Sequence, residues 1–117
     1  MLIEAMNEGL GVRNEKGIWT YVNDQLCWML GQLPGDIIGH PVIEFLDEAN
    51  QTFLGEEIQK QRKGDYSPYE ITWTRKDGAK VTTIVSPKPI FDSVGQLKEV
   101  FSVITDITER KRAEEKI

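Results

Sequence analysis

Val103-Ile104-Thr105-Asp106-Ile107-Thr108-Glu109-Arg110-Lys111 contains the switch on which the reading of this chain turns. A β-branched, strand-like run passes through Asp106 and Thr108, residue types that punctuate backbone structure, into a charged helical tail. Outward from that switch, Leu97 to Ile107 is the longest of three strand patterns in the C-terminal half. Tyr69 to Thr74 alternates with period two, and Lys80 to Val85 does so more loosely. Arg75-Lys76-Asp77-Gly78 forms a tight turn between those two patterns, and Pro89-Ile90-Phe91-Asp92-Ser93-Val94-Gly95 forms a second.

The N-terminal half mixes short strands and helices. Leu2, Ile3 and Met6 mark a short helical lead over residues 1–7. Leu10 to Arg13 and Ile18 to Val22 read as a hairpin around Asn14-Glu15-Lys16-Gly17. Asn23 stands at a helix N-cap, and Leu26, Met29 and Leu30 then fall at i, i+3, i+4 until Gly31 intervenes. Pro34-Gly35, Gly39 and Pro41 break the following stretch into one-turn helices that carry Ile37, Ile38, Val42, Phe45 and Leu46 inward. Glu48 to Arg62 is the longest helix, with Phe53, Leu54 and Ile58 on one side, and Lys63-Gly64-Asp65 ends it. The fold class is α+β: a five-stranded antiparallel sheet with short helices across one face, an N-terminal lead helix and a C-terminal exit helix.

Taken in order, Tyr21-Val22-Asn23, Arg75 to Gly78, Pro89 to Gly95 and the specific string Asp106-Ile107-Thr108-Glu109-Arg110-Lys111-Arg112 resemble the PAS family with its C-terminal PAC segment. The resemblance covers roughly residues 5 to 117. It implies a bacterial-type sensory box domain of a signalling protein, with residues 1–107 as the sensor core and 108–117 as the start of a signalling linker helix. In such proteins the linker runs into a histidine kinase, a GGDEF-type diguanylate cyclase or another PAS repeat. Asp106, Ile107 and Thr108 would then re-aim the exit helix.

Composition narrows the chemistry. The 117 residues carry a net charge of −5, and the basic run Arg110-Lys111-Arg112 is flanked by Glu109, Glu114 and Glu115, so neither nucleic acid nor an anionic membrane is an expected partner. No apolar run approaches the roughly 18–20 residues that span a bilayer, and a cytoplasmic location is expected. There is one histidine, His40, one cysteine, Cys27, and no glycine-rich phosphate loop, so the chain is read as a regulatory domain without catalysis of its own.

Cofactors can be weighed the same way. PAS domains that bind haem use a histidine on the long helix, and Glu48 to Lys63 has none. The flavin photoreceptors of the family place a reactive cysteine near the start of that helix, where this chain reads Asp47-Glu48-Ala49-Asn50-Gln51. Neither haem nor a cysteinyl-flavin adduct is therefore expected. A non-covalent flavin or another small organic ligand stays open, in a pocket bounded by Leu26, Leu30, Phe45, Leu54, Ile58, Trp73, Val85 and Phe101. A filled core with no ligand, serving dimerisation and relay, is slightly favoured, because many of these groups are bulky and few are polar.

The remaining expectations concern surfaces. Trp73 belongs in the core, whereas Trp28 falls off the Leu26-Met29-Leu30 stripe and is a candidate interface residue. Leu2, Ile3 and Met6 would join it in a homodimer interface. Asp106 and Glu109 have the spacing of a capping box, and Ile107, Arg110, Glu114 and Ile117 form a weak coiled-coil seam. About ten residues of helix are too few to be stable alone, so a dimer partner or a linked output domain after residue 117 is expected to hold it.

Overall fold

The computed structural model describes residues 8–115 and opens on two short strands, β1 (Glu8–Asn14) and β2 (Trp19–Val22). Their hairpin closes because Asn14 Oδ1 accepts from the backbone N–H groups of Lys16 and Ile18, both at 3.0 Å. Asn23 then caps α1 (Asp24–Leu30): its Oδ1 accepts from the N–H of Leu26 and from that of Leu10 in β1, each at 2.9 Å. A single side-chain amide thus ties the start of the helix to the sheet. The stripe of Leu26, Met29 and Leu30 is wholly buried, and Trp28, off that stripe, is 62% exposed.

Pro34 and Pro41 break the next stretch into α2 (Pro34–Ile37) and a single 3-10 turn (Val42–Phe45). Ile37, Val42, Phe45 and Leu46 are buried as expected. Ile38 is not: it leaves α2 in an extended conformation and its side chain turns to solvent. α3 (Glu48–Arg62) occupies the expected span, started by Asp47 Oδ1 accepting from Asn50 N–H at 2.9 Å. Its inner stripe is more polar than expected, since Leu54 is buried together with Glu57 and Gln61, while Phe53 and Ile58 are only half-buried.

β3 (Tyr69–Thr74), β4 (Lys80–Phe91) and β5 (Leu97–Asp106) complete a five-stranded antiparallel sheet of order β2-β1-β5-β4-β3. The last strand in sequence is the middle strand in space. β4 runs further than its sequence pattern suggests, because Pro87 and Pro89 lie in register opposite Ser102 and Val100 of β5. β3 pairs with β4 only as far as Val85, and prolines two residues apart turn their donor-less nitrogens to that unpaired edge. The turn itself is confined to Asp92–Gln96, where Asp92 Oδ1 accepts from the N–H groups of Val94 and Gln96.

α1, α2 and α3 cover one face of the sheet, and the core lies beneath them. α1 lies directly on the backbone of β1. A Cβ added at Gly11 would stand 2.4 Å from Trp19 Cζ3 and 2.8 Å from Leu26 Cδ2, so only glycine allows that approach. α4 (Thr108–Glu115) leaves the end of β5. Among the described residues no helix is long and apolar enough to cross a membrane. The lead helix expected over residues 1–7 lies outside the described residues.

Candidate functional site

The expected pocket is mostly core. Leu26, Leu30, Phe45, Leu54, Trp73 and Val85 meet in one buried cluster, and Trp73 stacks obliquely on Trp19 at 6.1 Å between ring centroids. Trp73 Nε1 donates to Thr83 Oγ1 at 2.8 Å, and Thr83 in turn donates to the Ile71 carbonyl at 3.0 Å, so the indole is satisfied by the sheet. Ile58 sits at the margin of this cluster. Phe101 does not belong to it: Val100 and Ile104 are buried in the core, alternation along β5 puts Ser102 on the same face, and Phe101 faces the other side, opposite Val12. A gap of about 20 Å³ remains within this cluster, beside Trp19, Trp73, Ser102 and Ile104. That is room for roughly one water. Trp19 Nε1, which is buried, has no acceptor in the protein among the described residues.

The strand-to-helix switch is built differently from the expected capping box. Asp106 Oδ1 accepts from the N–H of Thr108 at 2.9 Å, an Asx turn at the helix start. Thr108 does not cap its own helix but reaches across to β4: its Oγ1 accepts from Thr82 N–H at 3.0 Å and lies 3.4 Å from the Thr82 carbonyl. Ile107 N–H donates to the same carbonyl at 2.9 Å. The Ile107 side chain is buried within the domain, so it is unavailable to head a coiled-coil seam. Arg110 and Glu114 of that seam are exposed and lie 3.9 Å apart, and Ile117 falls outside the described residues. Asp106, Ile107 and Thr108 thus form one joint, fastened to the neighbouring strand by Thr82.

Trp28 stands beside this joint. It lines one cleft with Thr105, Asp106 and Ile107 and another with Thr108 and Arg112. The Arg75 guanidinium lies 5.3 Å from the Trp28 ring centroid, and its Nη1 donates to the Trp28 carbonyl. Trp28 is therefore an exposed but positioned ring. Its expected interface partners Leu2, Ile3 and Met6 lie outside the described residues.

Reactive groups are in inert settings. Burial pushes the Cys27 thiol up, with Asp24 adding to it, away from the range of reactive thiolates. His40 is half-exposed, 3.4 Å from Glu44, and outside α3. Among the described residues no cluster of His, Cys, Asp and Glu is arranged to hold a metal.

The PAS domain family model matches residues 7–109, and the chain belongs to that family. It is 26% identical over 117 residues to the C4-dicarboxylate transport sensor protein DctS of Rhodobacter capsulatus. That match covers 94% of this chain and 17% of DctS, so the chain spans only a small part of that relative. The fold is similar to the PAS domain of a protein from Colwellia psychrerythraea, with a TM-score of 0.78, 19% identity and 90% of each chain covered. It is also similar to a sensory box histidine kinase/response regulator from Burkholderia thailandensis, with a TM-score of 0.76, 17% identity, and 97% of this chain and 86% of that one covered. The chain is thus a PAS domain, with a transport sensor protein among its relatives.

Proposed function

We propose that the chain is the signal-relay PAS domain of a larger sensor histidine kinase, with a closed core and an output passed through β5 into α4. The observation that carries this reading is the core itself. The gap beside Trp19 and Trp73 in the core holds about 20 Å³, against roughly 300–1,000 Å³ for a small-molecule site. A non-covalent flavin or other organic cofactor would have to displace the Trp19–Trp73 pair or lift α3. The input then arrives at the surface, and the joint at Asp106, Ile107 and Thr108 turns it into a direction for α4.

A kinase output is favoured over a diguanylate cyclase by the relatives, one named a transport sensor and one a sensory box histidine kinase. In this reading an output domain follows α4, on the cytoplasmic side. We further propose a homodimer through Leu2, Ile3, Met6, Trp28 and the outer sheet face, where Leu10 pairs with Val103 and Val12 with Phe101 to make an incompletely covered apolar patch.

Visible absorption and native mass spectrometry of the purified 117-residue chain test the closed core. The expected result is no chromophore band and the mass of the polypeptide dimer. A flavin or haem band, or a co-purified mass of cofactor size, would overturn it.

A further inference from the structure

A cleft of about 320 Å³ lies between the last turn of α3 and the β4–β5 hairpin, lined by none of Asp106, Ile107 and Thr108. Arg13 of β1 lines it. Its guanidinium donates from Nη2 to Gln61 Oε1 at 2.8 Å and from Nη1 to the Asn14 carbonyl at 3.2 Å. Those bonds occupy two of five guanidinium N–H groups. Arg13 enters none of the ion pairs formed among the described residues. Burial has stripped part of its water, which disfavours its charged form. A cation in that setting is held by a neutral amide and has no carboxylate ion-pair partner among the described residues.

The rest of the cleft points to what supplies it. Arg62 adds a second cation against one acid, Glu15. Ile58, Phe91 and Leu97 form an apolar wall, and Phe91 is 55% exposed there. A simple tie between β1 and α3 would be met by Gln61 alone and explains neither Arg62 nor an uncovered phenyl ring. We propose that this cleft binds a small organic carboxylate, with its carboxylate on the Arg13 fork and its apolar body against Ile58, Phe91 and Leu97. The planar fork suits a carboxylate in two parallel hydrogen bonds. The volume lies at the small end of ligand sites, which limits the ligand to a short chain or a single ring. Arg13 also lines the core gap beside Ser102 and Ile104 and stands opposite Val100 of β5. A carboxylate that re-aims Arg13 therefore bears on the strand that ends at Asp106.

The test is a nuclear magnetic resonance titration of the isotope-labelled 117-residue chain with acetate, succinate and benzoate at constant ionic strength. Benzyl alcohol serves as the uncharged counterpart of benzoate, and inorganic phosphate as a second oxyanion. Saturable shifts are expected at the Arg13 side chain, the Gln61 amide and Gly64 with at least one carboxylate, and none with benzyl alcohol. Arg13→Gln should weaken binding about tenfold or more. Phe91→Ala, an exposed change, should weaken benzoate a few-fold and leave acetate unaltered. The proposal falls if no carboxylate gives saturable shifts, if Arg13→Gln binds like the parent chain, or if phosphate binds at least as tightly as the carboxylates. Should Arg13→Gln fail to fold, Arg62→Gln and Phe91→Ala carry the test, and unchanged binding in both overturns it. None of these outcomes bears on the closed core, whose test is the absence of a cofactor.

Discussion

α1 and α4 are nearly equal in length, 7 and 8 residues, and are held in opposite ways. α1 is capped at both ends, by Asn23 and Gly31, and presses Leu26, Met29 and Leu30 onto the glycine backbone of β1. α4 has no buried residue, and its ion pairs, Lys111–Glu70 at 3.2 Å and Arg110–Glu114 at 3.9 Å, are exposed. Such pairs contribute about 0–1 kcal/mol each. What fixes α4 is its root: the buried Ile107 and the bonds of Ile107 and Thr108 to Thr82. Packing along its length holds one helix, while hydrogen bonds at the root and exposed ion pairs hold the other. Signalling elements are drawn from the locally less stable parts of a fold.

The comparison breaks most readily at α1. Leu26→Ala should cost about 2–5 kcal/mol, a large share of a domain's roughly 5–15 kcal/mol. Denaturant unfolding measures it, and a loss below about 1 kcal/mol would mean that packing does not hold α1. At the other helix, Asp106→Ala and Thr108→Val should each cost about 0.5–2 kcal/mol, felt mainly in α4. Amide exchange in α4 should accelerate while the rest of the domain melts almost normally, and regulation in the full-length parent should be lost. Unchanged regulation would reduce both residues to structural caps.

Trp28→Ala sharpens the comparison, since Trp28 belongs to the fixed helix yet faces the movable one. Removing an exposed cation–π contact should cost only about 0.5–1 kcal/mol. The larger effect is expected in dimerisation, read by light scattering at tens of micromolar. A monomeric parent chain at that concentration would remove the proposed interface altogether. The smallest effect concerns the start of α3. Bonds from the Asn50 backbone and side chain, with Lys80 beside them, hold the Asp47 carboxyl down at about 2. An unfolded aspartate titrates near 3.9, so this group adds stability above about pH 4 and loses it as pH falls through about 2. The stability advantage over Asp47→Ala, measured by thermal melts, should shrink across that acid window and stay constant above it.

Much of this was legible in the chain. α3 was readable end to end because both of its signals are local: Asp47 caps within three residues, and Lys63-Gly64 terminates. The hairpin at Asn14 and the cap at Asn23 were readable for the same reason. The length of β4 was not, because prolines resemble turn residues until the neighbouring strand is known to stop at Val85. The partner of Thr108 was not legible, because Thr82 lies 26 residues away.

By itself, then, the sequence determined the order of the elements, the cap at Asn23 and the place where strand becomes helix, since these depend on hydrogen bonds and periodicities spanning a few residues. Tertiary structure alone decided three further things. It turned Ser102 rather than Phe101 inward, because β5 carries apolar residues on both faces and its alternation does not declare which is the core. It closed the space around Trp19 and Trp73 to a gap of about 20 Å³, a matter of how side chains from seven segments interlock. And it set Arg13 against Gln61, 48 residues apart, because only the packing of a strand against a helix end can bring a half-buried cation and an apolar wall into one cleft.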